Sequence, residues 1–186
     1  MALADAAAGR GWAVTLLLGP THAVPADSRV EVVRFQTAAE LETLLRERFP
    51  LSDALIQAAA VADFRPAAPA AEGTKLRRTD AGLTLTLEPT PDLLAMCGKL
   101  RRPGQVLVGF ALEPRERLIT SAQDKLARKG ADMIVANPLE TMDSPNIWAT
   151  LVQRTGPVVE LAEQSKEAFA TELLDRVQRI VRTPSI

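Results

Sequence analysis

The chain has one cysteine and one histidine in 186 residues. With Cys97 alone, no disulfide can close within the chain and no Cys-rich zinc site can be built. So little cysteine suits a reducing compartment, and a cytoplasmic setting is expected. With His22 alone, a two-His metal centre within one chain is excluded. A Ser-His-Asp triad would have to use His22, which shortly precedes Pro25 in a loop, and no GxSxG turn is there to face it. A basic excess is also lacking: 22 Lys and Arg oppose 23 Asp and Glu, for a net charge of −1. Nucleic acid is therefore not an expected partner, because a phosphate-tracking face shows as surplus positive charge. No apolar run approaches the roughly 20 residues of a membrane span, so no membrane partner is expected either. The phosphate-loop pattern GxxxxGK[ST] is absent. The sole GxG, Gly9-Arg-Gly11, precedes a strand pattern instead of opening a helix. Chemistry must rest on carboxylates, Lys, Arg, Asn and backbone amides.

What is present is an ordinary globular mixture, 47% apolar and 24% charged, long enough to bury a core without staples. One domain over residues 1–186 is expected. Ala2 to Ala8 reads as a helix ending near Gly9 and Gly11, and Ala13 to Leu18 as a buried strand. Val30 to Phe35 is a second strand. Thr37 and Glu40 form a capping box ahead of the Leu41, Leu44, Leu45 stripe of a helix. Asp53 to Ala60 has the length and flanks of a parallel strand. Pro66, Pro69 and Gly73 make residues 64–73 a loop. Lys75 to Arg78 and the alternating run Leu83 to Leu87 flank Asp80-Ala-Gly82 as an antiparallel β-hairpin arm, about 74–88. Thr90 reads as the N-cap of a helix with Pro91 in its first turn. Val106 to Phe110 is a strand, Glu113-Pro114 opens a helix closed by Gly130, and Asp132 to Ala136 is a strand. Ile147 to Gln153 and Val158 to Leu161 form a C-terminal hairpin, and Ser165 to Val181 a closing amphipathic helix. The alternation predicts a Rossmann-like α/β fold, a mainly parallel sheet in three layers. Such folds commonly begin with a strand. This chain begins in a helix, so a front strand with its glycine-rich turn is expected to be missing.

Ligands of such sheets bind beyond the carboxyl ends of the parallel strands. Small Ala58, Ala59 and Ala60 would let a ligand approach the backbone there. Asp63 stands where a ribose hydroxyl, a base amine or a metal could be held, or where a carboxylate caps a helix. Lys125 and Lys129 lie four apart on one helix, facing either one anion or solvent. Lys75 at the base of the arm is a mobile clamp for phosphate or an edge-strand lysine that discourages aggregation. Phe110 stacks on a base or fills the core. Asn137 also closes a strand.

Five segments in series carry a resemblance: Ala58-Ala-Ala-Val-Ala-Asp-Phe-Arg65, Lys75-Leu-Arg-Arg78, Pro91-Asp-Leu-Leu94, Val108-Gly-Phe-Ala111, and Lys125-Leu-Ala-Arg-Lys-Gly-Ala-Asp132 running into Ile134-Val-Ala-Asn137. In order and spacing the chain resembles the phosphopantothenoylcysteine synthetase domain, which often follows a flavin-dependent decarboxylase domain in bacteria. The resemblance implies a ligase of coenzyme A synthesis, joining phosphopantothenate and cysteine through an acyl-cytidylate made from CTP. It implies that Gln57, Ala58, Ala59 and Asp63 contact the cytidine part. Pro91, Asp92, Leu93 and Leu94 would present backbone amides, Phe110 would pack against the nucleotide, and Lys125 and Lys129 would hold triphosphate oxygens. Lys75 would be the catalytic cation on the flap, and Ala60 and Asn137 would meet the acid substrate. Mg²⁺ would accompany the phosphates, with its protein ligands left open, and no flavin is expected. A homodimer through the arm is expected, and a separate decarboxylase could associate with it.

The chain departs from the family at the flap, which reads Lys-Leu-Arg-Arg where the family has further lysines, and at the front, where the glycine-rich segment with its Asn would stand. The alternative reading is a catalytically impaired or non-catalytic relative that binds CTP and dimerises. A dinucleotide-dependent oxidoreductase is disfavoured by the absent phosphate turn.

Overall fold

The computed structural model describes residues 1–67, 84–141 and 144–182. In chain order the elements are α1 (Ala2–Gly9), β1 (Thr15–Leu18), β2 (Glu31–Arg34), α2 (Ala38–Arg48), β3 (Ala54–Gln57), β4 (Phe64–Pro66), β5 (Leu87–Pro89), α3 (Leu93–Leu100), β6 (Val106–Glu113), α4 (Leu118–Lys129), β7 (Met133–Pro138), β8 (Asn146–Gln153), β9 (Val159–Ser165) and α5 (Lys166–Arg182).

A five-stranded sheet in the order β3-β6-β7-β8-β9 holds the molecule together. β3, β6 and β7 run parallel, with Ile56 opposite Val108 and Val108 opposite Met133. β8 and β9 return antiparallel, through a turn in which Gly156 takes φ 102°. A parallel strand covered on both faces must be apolar on both. β6 and β7 meet that demand with Val-Leu-Val-Gly-Phe-Ala and Met-Ile-Val-Ala. Alternation then sorts the side chains. Leu107 and Ile134 join Leu41, Leu45, Phe49, Leu93 and Leu94 beneath α2, α3 and α4. Val106, Val108, Met133 and Val135 join Phe169, Leu173 and Val177 of α5, with Leu3 of α1 against them. These are the three layers of a Rossmann-like fold.

Two glycines allow helix α3 to seat. A Cβ on Gly98 would lie 2.1 Å from the Lys129 carbonyl oxygen, so α3 and α4 cross at backbone contact. A Cβ on Gly109 would lie 2.5 Å from Leu94 Cδ2, so Leu94 rests where β6 has no side chain.

β1 and β2 form a parallel pair of their own, hydrogen-bonded to no other strand among the described residues. The same layers still support them. Leu17 and Phe35 pack with Leu55 on the α2 side, and Ala4, Ala8 and Val30 pack with Val14 and Leu16 on the α1 side.

Several expectations need correction. The strand foreseen over 53–60 is regular only at Ala54–Gln57. Residues 64–66, read as loop, are β4 and pair antiparallel with β5, Phe64 opposite Pro89. The N-cap of α3 is Asp92, whose carboxylate accepts from Ala95 N at 3.1 Å. Thr90 instead donates its hydroxyl to the Ala62 carbonyl and its N–H to the Asp63 carbonyl at 2.8 Å, tying this segment to β4. Glu113 ends β6, and Pro114 opens a 3-10 helix over Arg115–Arg117 that leads directly into α4 at Leu118. Thr37 caps α2 as foreseen, accepting from Glu40 N at 3.2 Å, while Glu40 reaches back to Gln36 N at 2.7 Å. Gly130 closes α4 in the left-handed conformation, φ 62°.

Candidate ligand site

The carboxyl ends of β3, β6 and β7 open into a cavity of about 480 Å³. Ala58, Ala59 and Ala60 leave the end of β3, Phe110, Ala111 and Leu112 come from β6, and Asn137 from β7. Among the residues singled out from the sequence, Ala58, Ala59, Ala60, Phe110 and Asn137 are thus brought to one place. The three alanines are exposed and put no bulk between a ligand and the backbone. Phe110 packs against the core and also lines the cavity. It is half-buried on the cavity wall, and its ring meets Phe169 edge-on at 6.4 Å and 75°. Asn137 is 7% exposed, and its Nδ2 donates to the Trp148 carbonyl at 3.0 Å, which fixes which way the amide faces.

Gln57 closes β3, and its Oε1 is buried with no hydrogen-bond partner among the described residues. A buried acceptor of this kind costs about 1–3 kcal/mol unless a donor reaches it. Asp63 is exposed at the start of β4, held near Thr90 by the backbone bond already described. Pro91 and Asp92 are exposed at the start of α3. Leu93 and Leu94 are 3% and 5% exposed, so their side chains belong to the core and leave only backbone for a ligand.

The two α4 lysines already have counter-charges. Lys125 Nζ donates to Glu113 Oε1 at 2.8 Å, and the Ser121 hydroxyl donates to the same oxygen at 2.7 Å. The Lys125 hydrogen bond first, and the Ser121 bond second, hold the Glu113 carboxyl below its ordinary value of 4.5. Lys129 Nζ lies 3.4 Å from Asp92 Oδ2, joining the end of α4 to the start of α3. Neither lysine lines the cavity. Lys75 lies outside the described residues, as do residues 74–83 of the expected arm; within its remainder, 84–86 form no regular strand, and Leu87 and Glu88 belong to β5, which pairs with β4. Burial pushes the Cys97 thiol up to about 11, so it is no nucleophile at neutral pH. His22 is exposed in its loop.

Thr141, Asn146, Ile147 and Lys166 complete the cavity lining, and sequence reasoning did not find them. They come from the 3-10 turn after β7, the start of β8 and the start of α5. The antiparallel β8–β9 return carries Asn146, Ile147 and Lys166 there, and no local spacing announces it. Among the described residues no group of three or more His, Cys, Asp or Glu side chains is placed to hold a metal ion, and no helix is long and apolar enough to cross a membrane.

A cavity over the carboxyl ends of a parallel sheet, with one lysine among its lining residues, lies where Rossmann-like folds take small molecules. The sequence family narrows this. The chain belongs to the DNA/pantothenate metabolism flavoprotein C-terminal domain family, which matches residues 1–181. It is 34% identical over 189 residues to the Mycobacterium tuberculosis coenzyme A biosynthesis bifunctional protein CoaBC, covering 95% of this chain and 44% of that protein. It is 35% identical over 185 residues to a cysteine/cysteine sulfinic acid decarboxylase from an unknown prokaryotic organism, covering 97% of this chain and 51% of that one. The chain therefore spans about half the length of the curated relatives it matches. The crystal structure of the C-terminal domain of CoaBC superposes with a TM-score of 0.79 at 29% identity, covering 97% of this chain and 81% of that one.

Proposed function

We propose that this chain is the ligase part of a coenzyme A biosynthesis system, joining phosphopantothenate to cysteine with CTP. One observation carries the reading. The residues that the family resemblance assigns to cytidine and to the acid substrate, Ala58, Ala59, Ala60, Phe110 and Asn137, line one strand-end cavity. Its volume lies within the range of small-molecule sites.

In the first step a carboxylate oxygen of phosphopantothenate attacks the α-phosphorus of CTP. The bond to the bridging oxygen breaks, and pyrophosphate leaves. In the second step the cysteine nitrogen attacks the acyl carbon, CMP departs with the former carboxylate oxygen, and the amine proton passes to solvent. The chain's part is to position and to neutralise charge. The exposed strand end at residues 58–60 offers backbone to the base, and Phe110 offers a ring edge or face. Lys125 and Lys129 would exchange Glu113 and Asp92 for phosphate oxygens, and Lys75 would close from the arm. Mg²⁺ would accompany the triphosphate, and among the described residues no group of three or more acidic, His or Cys side chains is placed to hold it.

Phe64, Leu85 and Leu87 are 59%, 59% and 54% exposed at the base of the arm, which supports its use in a homodimer. A monomer by light scattering at micromolar concentration counts against that. A separate decarboxylase would supply the reaction that consumes the amide product.

The test is pyrophosphate release from CTP and phosphopantothenate with Mg²⁺, with and without cysteine. Release is expected to need both substrates, and amide product to need cysteine. Lys75→Ala is expected to lose about 100-fold in rate, the scale of one transition-state donor. A second reading, a CTP-binding relative without turnover, is favoured by the ion pairs that already occupy Lys125 and Lys129. CTP binding without pyrophosphate release would select it. Carbon dioxide release from cysteine sulfinic acid would replace both.

A further inference from the structure

The cavity contains a feature that the ligase reading does not use. Among the described residues its lining carries one full charge, Lys166, and no carboxylate. Lys166 is the first residue of α5 and is exposed at the cavity rim. It makes no ion pair among the described residues. That sets it apart from Lys125, 2.8 Å from Glu113, and from Lys129, 3.4 Å from Asp92. An anion arriving at either of those must first displace a carboxylate. At Lys166 no such ion pair has to be broken, although its charge is felt by the neighbouring Glu167 carboxylate.

The neutral polar groups around it are already engaged. Asn137 Nδ2 donates to the Trp148 carbonyl at 3.0 Å, and Asn146 Nδ2 donates to Glu163 Oε1 at 3.1 Å. The remaining walls are largely apolar: the three alanines, Phe110, Leu112 and Ile147. An ammonium that makes no ion pair among the described residues is free to make a charge-assisted hydrogen bond, about twice as strong as a neutral one. The complementary ligand group is an anionic oxygen.

We propose that Lys166 is the anion-binding side chain of this cavity, taking a phosphate or carboxylate oxygen of the ligand that fills it. The choice of ligands rests on the ligase reading, which offers two sources of that chemistry: the nucleotide's triphosphate and the phosphorylated acid. Binding of CTP alone, phosphopantothenate alone and uncharged cytidine would be measured by calorimetry on the full chain. The variants are Lys166→Met and Lys166→Arg. Their thermal midpoints, compared with the unsubstituted chain, serve as the fold control.

Lys166→Met is expected to weaken at least one anionic ligand by about tenfold or more, the worth of one hydrogen bond to a charged group. Cytidine affinity should stay within twofold. Lys166→Arg should restore most of the loss, and the lost affinity should depend on salt. A loss confined to CTP assigns the triphosphate, and a loss confined to phosphopantothenate assigns the acid. Unchanged affinity for both anions overturns the inference and leaves the ligase reading standing. An equal loss for cytidine overturns it as a general distortion of the cavity. Failure of the unsubstituted chain to bind either anion overturns the ligase reading first, and the inference with it.

Discussion

The β6–β7 pair and the β1–β2 pair are both parallel, yet they stand in opposite circumstances. β6 and β7 have neighbours on both edges and helices on both faces, and Val106, Leu107, Val108, Met133, Ile134 and Val135 are all at most 1% exposed. β1 and β2 are four residues each with a single partner strand among the described residues, and only Leu18 among their residues is buried. A two-stranded unit is marginal by itself and depends on the helices packed against it. The candidate cavity opens over β3, β6 and β7. A site needs a floor that does not move, and the fold places it where burial is deepest.

The strongest way to break this comparison is to truncate one leucine in each region. Leu107 is fully buried, so Leu107→Ala should cost about 2–5 kcal/mol. Leu17 of β1 is only partly buried against the same cluster, and Leu17→Ala should cost about 1–2 kcal/mol. Urea unfolding of the two variants measures both. Equal losses would mean that the front pair is as firmly held as the centre.

Glycines sharpen the contrast with an expected change of sign. At Gly98 an added methyl meets the Lys129 carbonyl oxygen at 2.1 Å, a backbone atom that cannot swing away. Gly98→Ala should therefore destabilise by about 1–3 kcal/mol through overpacking between α3 and α4. At Gly9, the last residue of α1, the same methyl meets nothing within 4 Å. Gly9→Ala should be neutral or stabilise by up to about 1 kcal/mol, since it lowers the entropy of the unfolded chain at a compatible position. Thermal midpoints of the two single variants decide the matter.

The same contrast explains what could be read in the sequence. β6 and β7 were legible because burial on both faces forces continuous apolar runs, and α2 because Thr37 and Glu40 sit at capping-box spacing. α3 began two residues later than expected. Thr90 and Asp92 both suit an N-cap, and only three-dimensional structure shows the Thr90 hydroxyl turned toward Ala62. β4 was hidden because Pro66 reads as loop, although proline is tolerated at the end of a short edge strand. In the cavity, the strand-end residues were legible from the topological rule for α/β sheets. Asn146 and Lys166 were not, because they reach it through long-range antiparallel pairing, and Thr141 was not, because it lies in the short 3-10 turn after β7. The ion pairs of Lys125 and Lys129 also join separate elements and have no local signature.

The smallest expected effect is a difference in pH response between two carboxylates with similar contacts. Glu113 at the end of β6 accepts from Lys125 at 2.8 Å and Ser121 at 2.7 Å, with its side chain 19% exposed. Glu31 on β2 accepts from Thr15 at 2.8 Å and Arg48 at 3.0 Å, with its side chain 53% exposed. Both are held below the ordinary 4.5, Glu113 mainly by Lys125 and Glu31 mainly by the Thr15 hydroxyl. A carboxyl with a lower pKa in the folded state favours folding in its ionised form. Its contribution is complete above the unfolded value and is lost as pH falls through the folded one. Glu113→Gln should therefore flatten the acid limb of the thermal midpoint profile below about pH 4.5. Glu31→Gln should change that limb less, because water and salt screen the exposed pair. A ligand phosphate that draws Lys125 away removes the largest cause of the Glu113 depression, so its pKa should relax upward. Nucleotide binding near that pH should then take up a proton and strengthen as pH falls, and Glu113→Gln should abolish this linkage. A pH-independent affinity in the unsubstituted chain would mean that Lys125 stays with Glu113 when the nucleotide binds.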